Sequence, residues 1–477
     1  MTPEDWLEKL TAAQASRKDS LEQFDAYYRG DHPLAFATRE FLEAFGGLFG
    51  AFSDNWCETV VNAVEERLCV TGFRFGNTQD ADRAAWEIWQ RNGLDLESNM
   101  AHLEALIYGV SYALVWPVDG LARVTVEHPQ QVVTVSKAGD RRVVAAAMKT
   151  YIDDDGTQVG WLYLPGEVRR YRSTEAGVSV LERERAAKGV VSWELDPRVS
   201  DEDGPAVQDN PFGDLVPVVP LENRPRLIAT PRSEIENVIP LQDAVNKQWA
   251  DLMVASEYNA DAQRWILGWE PEVDPESHQP LHPPLDRRKR FLTLNQNGND
   301  EHPVSIGQFT PGSSDNYLRP IEALVQHIAS QTRTPPHYLN PGADRLSGES
   351  IEASESGLIS KVIKRQQTFG EAWEQVMRLA FRAEGDIERA EFTAAETLWQ
   401  PPILRSDAQR VDAALKMSQL GVPWAVVMEY LNYSPTQIAR MEGERLMEQA
   451  LQAPVAPAEA AAVAEPQPVT AEAVVPS

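Results

Sequence analysis

The chain is poor in cysteine, in basic residues and in long apolar runs, and each shortage excludes something. Cys57 and Cys69 are the only cysteines among 477 residues. Both fall where a helix is expected, twelve positions apart, which is roughly 18 Å at 1.5 Å per residue. A disulfide cannot reach that far, and a reducing compartment fits. Lysine and arginine number 44 against 72 acidic residues, for a net charge of −28. Such a surface repels polyanions at long range. That argues against a sequence-reading DNA binder, which carries a basic face. No run approaches the roughly 20 apolar residues of a membrane span, so no membrane partner is expected. Met1 is followed by polar and charged residues without an apolar h-region, so no signal peptide is expected and synthesis is placed in the cytosol.

Catalytic signatures are absent too. The eight histidines are scattered, and H-E-x-x-H, C-x-x-C and G-x-S-x-G do not occur. Asp153-Asp154-Asp155-Gly156 lacks the spacing of a calcium loop and reads as a β-turn. Gly342 and Gly348, followed by Glu349-Ser350, superficially resemble a P-loop. Five residues separate these glycines where a P-loop has four, and Glu349 stands where its lysine belongs. No catalytic residue, no metal site and no cofactor is expected.

What is there is a chain long enough for about two to four domains, with 43% hydrophobic residues to fill their cores. PEDWLEKLTAAQASRKDSLEQFDAYYRGDHP has helical period and stops at Gly30 and Pro33. Ser53 and Asp54 are expected to cap a helix on which Trp56, Val60, Val61, Val64 and Leu68 share a face. Helices follow at ADRAAWEIWQRNG and LESNMAHLEALIYG, closed by Gly93 and Gly109. Trp86, Trp89 and Trp249 sit at helical spacing and read as core.

The pattern then turns to short β-rich runs, SYALVWPV through VVSWEL, separated by Asp119-Gly120, Gly139-Asp140 and Asp155-Gly156. They predict an antiparallel meander over roughly 110–195, with VPVVPLENRP leading out of it. A long helix is expected over 231–268, a second at SDNYLRPIEALVQHIASQTR, and a third from about Glu349 to Ala383. Between the second and third lies TPPHYLNPGADRLSGES, a break longer than packing requires. Pro335 and Pro336 stop the preceding helix there, and Gly342 and Gly348 let the chain fold back. Asn340, Asp344, Arg345 and Ser347 are displayed by it. Three helices fill 403–452, and Ser434-Pro435 is a clean helix start. As a helix-turn-helix this unit is unconvincing, because its last helix carries as many acids as bases. The Ala/Pro/Val/Glu stretch 453–477 is expected to be disordered. Arg287, Arg288, Lys289 and Arg290 form the densest basic run. It is either a solvated face or a contact for an acidic partner or phosphate. Lys361, Lys364 and Arg365 fall within about one helical turn and could face a neighbouring subunit or a polyanion.

This order of parts, and above all TPPHYL followed by SGESIEASESGL, resembles the portal proteins of tailed bacteriophages, especially those of actinobacteriophages. DHPLAFATREFLEAFGGLF and SDNWCETVVNAVEERL look like the same group. The resemblance implies an α+β portal fold. Its wing (helices plus an antiparallel β-rich part) would span 1–230 and also take in the distal part of the third long helix. Stem helices would lie at 231–268 and 315–334, a small α/β clip at 269–314, and a tunnel loop at 335–350. The long helix and its return to the wing would fill 351–402, a short helical crown 403–452, and the tail 453–477. It implies a homo-oligomeric ring, usually of twelve subunits, at one capsid vertex, assembled in the host cytoplasm. Double-stranded DNA would pass through it non-specifically, packaged by the terminase and later ejected. Implied partners are the terminase large subunit, a head-completion adaptor, and the major capsid and scaffolding proteins. An acidic channel suits DNA that must slide without sticking. The competing readings are a capsid-associated enzyme, which needs a catalytic set not found here, and a DNA-binding regulator, which the charge balance disfavours.

Overall fold

A computed structural model describes residues 1–36, 39, 43, 54–76, 81–173, 192–196, 205–260, 264–267, 275–276, 291–294, 305–308, 312–339, 348–403, 407–431 and 433–452. The chain opens on helix α1 (Pro3–Arg29), followed by α2 (Trp56–Glu65), strand β1 (Val70–Arg74), α3 (Arg83–Arg91) and α4 (Leu94–Tyr108). Strands β2 (Val110–Val118), β3 (Leu121–Glu127), β4 (Val132–Lys137), β5 (Asp140–Ile152), β6 (Gln158–Tyr163) and β7 (Glu167–Ser173) come next. They lead to β8 (Trp193–Leu195), β9 (Val207–Asp209) and β10 (Val218–Glu222). Helix α5 (Ile239–Ala260) precedes β11 (Arg264–Leu267), β12 (Phe291–Leu294) and β13 (Ser305–Gln308). Then come α6 (Asp315–Thr332), the one-turn α7 (Pro336–Leu339), the long α8 (Gly348–Ala383), α9 (Ile387–Ala390) and β14 (Glu396–Trp399). Helices α10 (Asp407–Gln419), α11 (Trp424–Tyr430) and α12 (Pro435–Gln452) close the described chain.

Local chemistry sets the helix ends. Thr2 and Asp5 form a reciprocal capping box at the start of α1, with Pro3 in its first turn. Gly30, at φ 82°, ends it. Asp54 does not cap α2. Asn55 does, accepting from the amides of Cys57 and Glu58, while the Asp54 carboxylate accepts from the indoles of Trp56 and Trp249. Cys57 is buried in α2, and Cys69 lies beyond its end and is exposed, so the two do not share a helix as expected.

The β-rich part is not one meander but two antiparallel sheets. One has the order β10-β2-β3, the other β4-β5-β6-β7-β8 with β9 on β7. The segment expected to lead out of the domain is β10, which turns back and pairs with β2. Strand β2 is buried on both faces. Tyr112 and Leu114 join the core between the sheets, and Ala113 and Val115 join the helical core. That is why VSYALV reads as a continuous apolar run rather than an alternating one. A bulge in β5, where Ser136 pairs with Val144 and Val135 with Ala146, brings Val144 and Ala147 into the same inter-sheet core. Asp119 (φ 54°) and Gly120 (φ 77°) make the tight β2–β3 turn.

Helix α1 bridges two cores. Leu7 and Leu10 pack on the larger sheet with Val133, Met148 and Leu162, whereas Leu21 and Tyr27 belong to the main helical core. The spine of that core is α8, which buries Leu358, Val362, Phe369, Trp373, Val376 and Phe381 along one stripe. At its far end α8 meets a two-stranded pair, β1 with β14, formed by residues more than 320 positions apart. The helix expected over 231–268 is shorter, Ile239–Ala260, and strand β11 occupies part of its expected tail. Before it, the amides of Arg232 and Glu234 go to the carbonyls of Asn223 and Leu106, so 232–234 is a tie between those segments, and a turn over 235–238 leads into α5. The strands β12-β11-β13 form a small mixed sheet, β11 running parallel to β12 and antiparallel to β13.

Candidate functional site: a clamped break between two long helices

The break the sequence singled out begins where α6 ends. Arg333 caps α6 in the left-handed region, at φ 57°, and Thr334 turns its amide back to the Ala329 carbonyl. Pro335 follows, buried, and Pro336 opens the one-turn α7. Thus α6 ends before the prolines reach it, and Pro336 starts a helix as well as forbidding the old one to continue. Gly348 is the first residue of α8. Asn340, Gly342, Asp344, Arg345 and Ser347 lie outside the described residues, as do Arg287, Arg288, Lys289 and Arg290.

Both ends of the break are held by buried charge. Glu234, on the tie before α5, accepts from Lys361 Nζ at 2.9 Å and from Arg365 Nε and NH2 at 2.9 and 2.6 Å. Lys361 also donates to the Thr332 carbonyl at 3.1 Å, at the negative end of the α6 dipole. One α8 lysine therefore holds the end of α6 and the start of the α5 segment together. Burial alone would push the Glu234 carboxyl up, but Lys361 and Arg365 outweigh it and hold the group down at about 2. Burial lowers the Lys361 pKa, with Glu234 opposing that shift. Lys361 and Arg365 thus serve the fold from inside, contrary to the outward-facing role expected from their spacing. Lys364, between them, is exposed.

A second cluster holds α7. Arg67 donates to the Tyr338 hydroxyl at 2.7 Å and to the Pro402 carbonyl at 2.8 Å, and pairs with Glu355 at 3.4 Å. Arg67 and Glu355 are both buried. His337 Nε2 lies 3.8 Å from the same Glu355 carboxylate. Leu339 is packed in the main core. Neither Glu234 nor Arg67 carries a local signal, since each finds its partner more than 120 positions away.

Among the described residues no group of His, Cys, Asp or Glu could hold a metal ion, and no helix is long and apolar enough to cross a membrane. Asp153 to Gly156 form the expected turn, with the Gly156 amide on the Asp153 carbonyl. The arrangement offers mechanics: two long helices and a connecting segment fixed at its base.

Known proteins similar to this chain identify its family. Two portal proteins are similar: that of Mycobacterium phage D29, 30% identical over 378 residues, and that of Mycobacterium phage L5, 28% identical over 388. Each alignment covers 75% of this chain and 70% of the relative. A chain from the virion of a native gene transfer agent particle overlaps 81% of this chain and 90% of its own length, at 11% identity and a TM-score of 0.43. The two phage relatives are portal proteins in class. The phage portal protein family, SPP1 Gp6-like, matches residues 7–449, and this chain belongs to it. Its mixture of helices and sheets is α+β, and as a member of this family it is a portal protein, a component of the virion at the capsid vertex that serves genome packaging and head–tail connection.

Proposed function

We propose that twelve copies of the chain form a ring at one capsid vertex and that double-stranded DNA passes through it, inward under the terminase motor and outward at ejection. The observation that carries this is the family match over 7–449, joined to a helix break whose base is pinned. In this reading 1–230 is the wing, 231–268 and 315–334, which include α5 and α6, are the stem, and 269–314 is the clip. Residues 335–350 form the tunnel loop, α8 carries it back to the wing, and α10 to α12 are a short crown. Asn340, Asp344, Arg345 and Ser347 line the narrowest passage and touch DNA weakly, because DNA that must move cannot be held. Arg287 to Arg290 offer a docking face to the terminase large subunit and later to the head-completion adaptor. Capsid and scaffolding proteins receive the ring, which assembles in the host cytoplasm. The protein performs no chemistry of its own, and ATP hydrolysis belongs to the terminase.

Size-exclusion chromatography with light scattering tests the ring: a species near twelve times 53.2 kDa is expected, and an enzymatically active monomer would remove this reading. Deleting 342–347 should stop packaging or DNA retention and leave ring assembly intact. Full packaging at the normal rate by that variant would show that the loop does not act in the channel. Reversing the four charges of 287–290 should weaken terminase docking, and unchanged docking would leave that run a solvated face.

A further inference from the structure

The segment 224–231 is held open at its base and presents bare aliphatic surface at its tip. Asn223 is fully buried. Its amide donates to the Gly109 carbonyl at 2.8 Å, and its side-chain nitrogen donates to the Arg232 carbonyl at 2.8 Å. The Arg232 amide returns a bond to the Asn223 carbonyl at 3.1 Å. The two ends of the segment are therefore tied to each other and to the end of α4. Gly109, at φ 90°, permits this approach, since a Cβ there would stand 3.1 Å from the Pro231 carbonyl. Pro225 and Pro231 stiffen the chain between.

At the tip stand Leu227, 85% exposed, and Ile228, 102% exposed. They are the two most exposed large apolar side chains among the described residues. A lone exposed leucine is ordinary. Two adjacent ones on a loop ordered in advance are not, because the fold forgoes their burial and has already met the entropy of ordering them. Arg224 and Arg226 flank them, and neither makes an ion pair among the described residues. The two arginines place positive charge beside the tip in a chain of net charge −28.

We propose that this loop is the protruding half of the contact between neighbouring copies of the chain, its Leu227–Ile228 tip entering an apolar recess on the next copy and Arg224 and Arg226 meeting acids around it. The inference rests on the ring reading and deepens it. Three features favour a second copy as the occupant. With 72 acids against 44 bases, another copy offers the complementary charge. A phosphate backbone has no recess for leucine and isoleucine, so a protein surface fits the tip better than nucleic acid does. A closed head-to-tail ring needs a protrusion on one side of each subunit that fits a different patch on the next. Arginine is enriched at protein interfaces, whose fully buried centre is more apolar than the rest of the surface.

The test uses the full chain. Leu227→Asp with Ile228→Asp should raise the concentration needed for assembly at least tenfold in light scattering. Circular dichroism and melting should stay as in the wild type, since neither side chain packs on its own subunit. Arg226→Glu should raise that concentration less. Separately, benzoylphenylalanine at position 228 should give, under ultraviolet light, a covalent dimer whose linked peptides both come from this chain. The proposal is overturned if the double variant assembles like the wild type, or if position 228 in assembled rings links only to DNA, to another protein or within its own subunit. A wild type that stays a single copy in the same runs and in purified capsids overturns the ring reading itself, and this proposal with it.

Discussion

Replacing Glu234 by glutamine should destabilise the protein by about 3 kcal/mol at neutral pH. The carboxyl is held at about 2 against an ordinary 4.5, and that gap gives the figure at about 1.4 kcal/mol per pH unit. The side chain is only 3% exposed, so solvent screening takes little from it. An independent argument gives a similar size: removing one partner of a buried ion cluster leaves uncompensated charge, at a cost of about 3–5 kcal/mol. Here two cations, Lys361 and Arg365, would face each other without the acid between them. Because the folded value is depressed, the contribution is complete above pH 4.5 and disappears as pH falls through about 2. Lys361→Met should cost less, about 1.5–3 kcal/mol, because the Glu234–Arg365 pair survives while the Lys361–Glu234 pair and the grip on Thr332 are lost. The double variant should cost less than the sum of the two. Urea unfolding followed by tryptophan fluorescence gives the midpoints. Hydrogen exchange over 328–339 should rise in both single variants, since Lys361→Met removes the hold on Thr332 and Glu234→Gln removes the acid that keeps Lys361 in place. A Glu234→Gln variant within about 0.5 kcal/mol of wild type, or with unchanged exchange there, would refute the clamp.

Three further outcomes are expected. His102 is fully buried, accepts from the Trp373 indole at 2.8 Å and stacks on Phe369; burial pushes its pKa down to about 3. Its contribution is whole above pH 6.5 and declines by about 1.4 kcal/mol per pH unit as pH falls toward 3, so the acid limb of a stability–pH curve should flatten in His102→Gln. Burial pushes Glu374 up to about 7. Ionising it costs stability as pH rises through 7, and Glu374→Gln should raise the melting temperature at pH 8 and leave it unchanged at pH 4, keeping the bond from the Thr397 amide. Gly109→Ala combines a positive φ with a clash against Pro231. It should destabilise by about 1–3 kcal/mol, and proteolysis within 224–231 should quicken as that loop comes loose.

Much of the architecture was legible because its signals are local. Periodicity and caps gave α1, α3, α4, α6 and α8 nearly to the residue, and turn residues such as Asp119-Gly120 separated the strands. What escaped the sequence lies at long range. The five residues of β1 contain a glycine and no alternation, and their partner β14 is over 320 positions away. Nothing in VPVVPLE says whether it leaves the domain or pairs back on β2. The 231–238 stretch has helical apolar spacing, but the amides of Arg232 and Glu234 are claimed by Asn223 and Leu106, so a helix begins only at Ile239. Lys361 and Arg365 read as a face for a neighbouring subunit or a polyanion until Glu234 arrives from an earlier segment of the chain. The candidate site was legible as a location, through its prolines and glycines. Its clamps were not, because each joins residues far apart in sequence.

The central claim is that the break between α6 and α8 points inward from every copy toward a shared passage. Imaging the portal vertex in an assembled particle at side-chain resolution tests it directly. Residues 340–347 should ring the narrowest part of a central channel, with Arg333 and Pro336 at their base and Glu234, Lys361 and Arg365 locked behind. Finding those residues on the outer rim, or finding no channel among the copies, would contradict the account.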